Sequence, residues 1–244
     1  AGYVFVDMAG RDVGGYVEDL KRVVKDKVPL PTGYTIMWSG QYEYMQRVRE
    51  RLTIFIPLTL AIIFVLYFFT FRTVAETLMG MLGVPLSMVG GIWSLSLLDY
   101  NMSIAVWVGL IALAGVGAET SAVMLAYLDG ACDRRREAGT LRTLPDLLQA
   151  VQQGALERIR PVTMTSLSNI LGLMPVMWAT GTGADVMKRI AAPMVGGVFT
   201  AMLLTLVVIP TLYVIWRWQT EVKHLRKKEG SAAEREAAAD LEPA

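Results

Sequence analysis

Five long stretches of this chain are almost free of charged residues, and Glu119 is the one charged residue that they contain. The stretches cover residues 52–71, 77–98, 100–128, 161–184 and 190–216. Each reaches the roughly 20 apolar residues that a helix needs to cross the core of a bilayer. The sequence therefore predicts an α-helical integral membrane protein with five transmembrane helices. A soluble enzyme and a disulfide scaffold are excluded. The net charge of only +1 also excludes a nucleic-acid-binding protein, which needs a basic surface.

Residues 1–51, which precede the first span, have a mixed polar composition that predicts a β-α-β unit. The predicted elements are a strand at 2–8, a helix at 13–28 with Asp12 as its N-cap, a strand at 34–39 and a helix at 41–51 that continues into the first span. A unit of this size is too small to bury a core of its own. We therefore expect its sheet to be completed by strands from elsewhere, and the chain to be part of a longer protein.

Basic residues in the short connections predict the orientation. One predicted side of the membrane has 13 Lys and Arg residues: Arg72 and those of the connector 129–160 and of the tail 218–244 with the adjoining Arg217. The short loops on the opposite side contain two, Lys188 and Arg189. The positive-inside rule places the richer side in the cytoplasm. An odd number of spans then places residues 1–51 outside. Within the connector, residues 143–159 are predicted to form an amphipathic helix on the membrane surface, capped by Thr143. The alanine- and acid-rich tail is predicted to be disordered.

Glu119 is the strongest functional candidate, because an ionisable residue inside a span is costly unless it faces protein or water. The neighbours that share its helical face are all small: Ala112, Gly115, Ala122 and Ala126. Such a face allows a second helix to approach closely. Removal of the carboxylate from water favours its protonated form, so Glu119 is expected to exchange a proton near neutral pH. The alternative is a glutamate that only hydrogen bonds to a neighbouring helix.

Two further features are weaker candidates. Thr165, Ser168, Asn169 and Gly172 share one face of the fourth span and either pass a proton to Glu119 or only hold two helices together. Met187 lies in a polar external loop at 181–189, where its thioether suits a soft cation such as Cu(I). Cys132 and His224 are isolated in the sequence, and no motif for ATP hydrolysis or other hydrolytic chemistry occurs.

Two segments resemble the C-terminal half of resistance-nodulation-division (RND) efflux permeases. They are GLIALAGVGAETSAVMLAYL at 109–128 and RIRPVTMTSLSNILGLMPVMWATGTGADVMKRIAAPMVGG at 158–197. The similarity extends from about residue 2 to 217, and within the superfamily it is greatest to the heavy-metal branch of the Cus/Sil copper- and silver-exporting type.

This resemblance implies a proton antiporter of the bacterial inner membrane, not an enzyme, and no cofactor apart from the transported metal. It further implies a homotrimer with twelve helices per subunit, joined to a periplasmic adaptor and an outer-membrane channel. Residues 1–51 would be the last piece of the periplasmic porter domain, and the five spans would be helices eight to twelve. The N-terminal half of the same permease would supply the remaining helices and the substrate cleft.

The resemblance also assigns roles to individual residues. Glu119 and Thr165 match positions of the family's proton relay, and Met187 matches a methionine of the stepwise metal path in copper exporters. The chain departs from the pattern at Val162, where the copper branch can carry a lysine. Alternatives are a divalent-metal or multidrug exporter of the same superfamily, a protein-export helper on the same helix bundle, and a non-transporting truncated or regulatory membrane module.

Overall fold

A computed structural model describes residues 2–6, 13–141 and 143–222 of the chain. Within these ranges the elements are helical: α1 (Val13–Lys27), α2 (Gln41–Phe71), α3 (Val74–Met81), α4 (Gly83–Leu97), α5 (Ile104–Glu137), α6 (Leu144–Trp178), α7 (Ala184–Arg217) and a π-helical turn (Trp218–Val222). The predicted N-cap Asp12, the end of the first predicted strand, Arg142, His224 and the tail from residue 223 lie outside the described residues.

The predicted β-α-β unit is confirmed for its helix but not for its strands. α1 matches the helix predicted at 13–28, and α2 begins at Gln41 as expected. Residues 2–6 and 34–39 are irregular, and no strand occurs in the described part of the chain. A strand needs a neighbour to satisfy its backbone groups, and this segment has none on which to pair. The strands therefore stay a prediction for a longer protein.

Among the described residues, four helical segments are long and apolar enough to cross a membrane: Gln41–Phe71, Val74–Leu97, Ile104–Glu137 and Ala184–Thr220. They correspond to the predicted first, second, third and fifth spans. α6, which contains the predicted fourth span, is not among them, because its apolar residues are interrupted by Thr163, Thr165, Ser166, Ser168 and Asn169. The fifth crossing therefore remains a prediction.

The connector differs from the expected surface helix. Thr143 is the N-cap, and its backbone N–H donates to the Asp146 carboxylate over 2.9 Å. The helix that begins there does not end before the predicted fourth span, however, but continues through Pro161 to Trp178 as the single 35-residue α6. Part of the amphipathic stripe is buried against α5, since Leu147 and Val151 pack in one core cluster with Leu125 and Leu128, whereas Leu148 is 47% exposed. The connector helix is therefore continuous with the predicted fourth span, and its location at the membrane surface stays a prediction.

Close backbone contacts pack α4 against α5 and α7. A Cβ atom added to Gly83 of α4 would lie only 1.5 Å from the Ser121 Oγ of α5. One added to Gly90 would lie 1.6 Å from the Thr200 Oγ1 of α7. Glycine is therefore required at both places, as is usual where helices approach closely in membranes. A second core cluster, at the other end of α5, contains Val106, Leu110, Leu113, Leu95, Ala192 and Val198.

α2 stands apart from this bundle. None of the residues in its most apolar 18-residue stretch is buried. Its external end contacts α1, where the Lys21 Nζ donates to the Tyr42 hydroxyl over 2.8 Å. α2 therefore runs without interruption from the segment predicted to lie outside the membrane to the opposite end of the bundle.

Candidate proton-relay site and a buried charge cluster

Glu119 lies near the middle of α5 and is exposed in this chain. Of the small residues predicted to share its face, Ala112, Gly115 and Ala126 are also exposed and Ala122 is half-buried. No heavy atom lies within 4 Å of the place that a Cβ of Gly115 would occupy. The face is thus small and continuous as predicted, but no described part of the chain covers it.

The carboxylate of Glu119 makes no hydrogen bond or ion pair with any described residue. The phenol of Tyr67, on α2, lies near enough to interact electrostatically with this carboxylate. The face of Gly and Ala residues beside it leaves space for a polar group from another helix. The described residues thus provide only part of a candidate proton-relay site, namely the carboxylate and the open face beside it. The structural alternative, a glutamate bonded to a neighbouring helix, has no partner among the residues described.

Thr165 and Asn169 are exposed on α6. The Thr165 hydroxyl donates to the backbone carbonyls of Pro161 and Val162, over 3.0 and 3.1 Å, and neither residue hydrogen bonds to Glu119. Ser168 and Gly172 are exposed on the same helix, and Val162 is buried, with 1% of its surface accessible. The structure therefore does not join the Thr165 stripe to Glu119. Their cooperation stays a prediction.

Met187 lies in the first turn of α7, where its backbone N–H donates to Gly183 over 3.2 Å. The predicted external loop is accordingly shorter than 181–189. The side chain is 52% exposed, and in the described ranges no group of three or more His, Cys, Asp or Glu residues is arranged to hold a metal ion. The Met187 thioether is therefore accessible, but the described residues do not complete a metal site around it.

The structure also contains a buried charge cluster that the sequence analysis did not predict. Arg217, at the end of α7, has its Nη1 atom 3.3 Å from the Glu76 carboxylate of α3. Its Nη2 atom lies 3.8 Å from Asp129 and 3.6 Å from Asp133, both on α5. The Tyr213 hydroxyl donates to Asp129 over 2.6 Å. The cluster therefore connects the ends of three helices on the side predicted to be cytoplasmic.

A signal for this cluster was present in the sequence. Asp129 and Asp133 stand four residues apart at the end of one helix, and Tyr213 and Arg217 have the same spacing at the end of another. Residues four apart share a helical face. What the sequence did not reveal is the burial of Glu76, which is 2% exposed. In the sequence, Arg217 indicates only the orientation of the chain in the membrane, through its charge.

The helices and the site together define an α-helical protein of the membrane-spanning type, with one carboxylate on an open helix face. The family model described as AcrB/AcrD/AcrF matches residues 3–217. The chain belongs to this family of RND permeases, which confirms the resemblance seen in the sequence.

Individual relatives place the chain near heavy-metal members of the family. It is 43% identical over 219 residues to the putative cation efflux system protein SilA of Salmonella typhimurium. It is 41% identical over 224 residues to the cation efflux system protein CusA of Escherichia coli K12, and 37% identical over 210 residues to the cobalt-zinc-cadmium resistance protein CzcA of Cupriavidus metallidurans. These matches cover 88%, 91% and 86% of this chain.

A solved structure of a heavy metal efflux pump is also similar, with a TM-score of 0.71 and 35% identity over 85% of this chain. The chain spans only 20% of that structure, and it spans 21%, 21% and 19% of the three relatives. Four-fifths of each matched protein therefore has no counterpart in these 244 residues.

Proposed function

We propose that this chain is one part of a proton-driven permease that exports heavy-metal cations. The observation that carries the proposal is the position of Glu119, a lone carboxylate within the predicted spans, on a continuous face of small residues that is left open. The open face is explained if helices from the rest of the permease cover it. The carboxylate would then be shielded from lipid and would alternate between its protonated and ionised forms.

In this proposal α6 crosses the membrane as the fourth of the five spans, because the helices that flank Thr165 and Asn169 in the complete protein would shield those polar side chains from lipid. The loop segments 2–6 and 34–39 would gain the strand partners that they lack here. Residues 1–51 would lie in the periplasm and the tail in the cytoplasm of a bacterium, with the permease in the inner membrane. A homotrimer joined to a periplasmic adaptor and an outer-membrane channel would complete the assembly.

We favour Cu(I) or Ag(I) as the cargo. Met187 presents an accessible thioether at the external end of α7, and thioethers prefer soft monovalent ions over Zn²⁺ or Co²⁺. The identity to SilA and CusA is also higher than the identity to CzcA. The last relative is named for cobalt, zinc and cadmium, and this keeps a divalent-metal exporter as the second candidate.

A resistance panel separates these candidates. The complete permease would be expressed in a strain that lacks its own exporters and challenged with copper, silver, zinc, cobalt and a cationic dye. We expect protection against copper and silver, and loss of that protection in Glu119→Gln at equal membrane abundance. Glu137→Gln, which changes an exposed acid at the end of the same helix, is the matched control and should protect fully. Protection against zinc and cobalt alone would favour the second candidate, and full protection by Glu119→Gln would refute the relay.

The 244-residue chain by itself is not expected to transport, because the Glu119 face has no covering helix. Metal uptake by liposomes that contain only this chain would contradict that expectation.

A further inference from the structure

Tyr67 is the point at which α2 meets the turn of α5 that carries Glu119. Its hydroxyl donates to the backbone carbonyl of Ala118 over 2.6 Å. Ala118 immediately precedes Glu119 in the sequence, and the Glu119 carboxylate is near enough to interact electrostatically with the phenol. The remainder of the apolar part of α2 is not buried, so this contact stands out along an otherwise loosely held helix.

The ring of Tyr67 is fixed as well as its hydroxyl. A Cβ added to Gly80 of α3 would lie 2.9 Å from the Cε2 atom of Tyr67, so the ring rests directly on the α3 backbone. Phe71, one turn further along α2, meets the same ring edge-on, with the two centroids 6.0 Å apart. A side chain held on two sides has little rotamer freedom to lose when it donates its hydrogen bond.

α2, the helix that carries Tyr67, runs from the Glu119 turn of α5 to the segment predicted to lie outside the membrane. α2 is unbroken from Gln41 to Phe71, and its external end is tied to α1 through Tyr42. A displacement of the Glu119 turn that moves Tyr67 would therefore also move α2, which is continuous through Pro57 and reaches the segment predicted to lie outside the membrane.

We infer that Tyr67 is a positioning residue that fastens α2 to the Glu119 turn of α5. The inference rests on the proposed relay function of Glu119 and adds the connection through which a change at that residue reaches α2. Tyr67 itself does not carry the transported proton in this scheme, because its hydroxyl proton is engaged with a backbone carbonyl. Its role is to keep two helices in register.

The test uses the complete permease with spin labels at Phe69→Cys and Glu137→Cys. Both positions are exposed near the ends of α2 and α5, and the native Cys132 is buried and left in place. The distance between the labels is measured with Glu and with Gln at position 119, in the native, Tyr67→Phe and Tyr44→Phe backgrounds. Tyr67→Phe keeps the ring on Gly80 and removes only the hydroxyl. Tyr44→Phe removes a hydroxyl from an exposed tyrosine of the same helix.

We expect Glu119→Gln to change the distance in the native and Tyr44→Phe proteins, and to change it by less than half as much in Tyr67→Phe. Export by Tyr67→Phe should fall about fivefold, the effect of one net hydrogen bond, while Tyr44→Phe exports normally. An equal change of distance in all three backgrounds, or an unaltered distance in the native protein, would overturn the inference. Full export by Glu119→Gln would refute both the relay and the positioning role of Tyr67. If Glu119→Gln loses export while Tyr67→Phe exports normally, only the role of Tyr67 is refuted.

Discussion

The contact between α4 and α7 leads to a prediction whose size can be worked out from the structure. In Gly90→Ala, the new methyl group would lie 1.6 Å from the Thr200 Oγ1, 2.6 Å from the Thr200 Cβ and 2.7 Å from the Gly196 carbonyl oxygen. Non-bonded carbon atoms are at their best separation at roughly 3.5–4 Å. Rotation of Thr200 can relieve the first overlap, but the carbonyl belongs to the backbone. The two helices must therefore separate by roughly 1 Å, as the difference between these distances indicates.

Overpacking of this kind costs about 1–3 kcal/mol and occasionally more. The higher helix propensity of alanine stabilises the helix by roughly 1 kcal/mol. With the overpacking cost at the upper end of its range, the free energy of unfolding is expected to fall by about 2 kcal/mol. For a protein of this length each kcal/mol corresponds to a change of roughly 2–4 °C in Tm. We therefore predict that Gly90→Ala lowers the Tm by about 4–8 °C.

The assay can use the one cysteine of the chain. Cys132 is buried, so a thiol-reactive dye reports its exposure as the detergent-solubilised protein unfolds. The matched control is Gly130→Ala, because no heavy atom lies within 4 Å of the position of its Cβ. The control should melt at the native temperature or a little above it. A Gly90→Ala protein that melts as high as Gly130→Ala would refute the close contact of α4 with α7.

Three further predictions concern the charge cluster, the open face and the metal path. Arg217→Met should lower the free energy of unfolding by roughly 3 kcal/mol, because it leaves Glu76 buried without its cation; an unchanged thermal unfolding curve would contradict the burial of the pair. Gly115→Leu should leave the unfolding of the 244-residue chain unchanged, since the site is open, yet abolish metal resistance in the complete permease; normal resistance would show that no helix covers this face. Met187→Leu should reduce copper and silver resistance, measured as the inhibitory concentration, while Met164→Leu, at an exposed methionine of α6, should not. Equal resistance in the two methionine variants would remove Met187 from the path.

The helices could be predicted because their signals are local. The uncharged stretches and the caps are read within a few residues of each boundary, as at Thr143 and Asp146, and α2, α5 and α7 appear where the pattern placed them. The same local information did not predict that the helix at 143–159 and the fourth span form one continuous α6. A proline at the change from an amphipathic to an apolar segment indicates a helix boundary, whereas tertiary contacts with α5 keep α6 continuous through it.

The parts that were not predicted depend on residues distant in the sequence. Arg217 and Glu76 are 141 residues apart, and no periodicity indicates that they meet. The predicted strands at 2–8 and 34–39 are the opposite case. Their local signal, an alternating pattern, is present in the sequence, but a strand also requires a partner strand on which to pair. The small face around Glu119 was predicted from its spacing, whereas its exposure depends on which helices are present to cover it.

Proton-coupled flux through the complete permease is the most direct measurement of whether Glu119 couples the proton gradient to export. The purified permease would be reconstituted in liposomes with a defined pH gradient, and movement of Ag(I) would be followed with a metal-sensitive dye inside them. The native protein and Glu137→Gln should transport only when the gradient is present, and Glu119→Gln should bind to the membrane in equal amount without transporting. Silver flux by Glu119→Gln at the native rate and with the native dependence on the pH gradient would contradict the account.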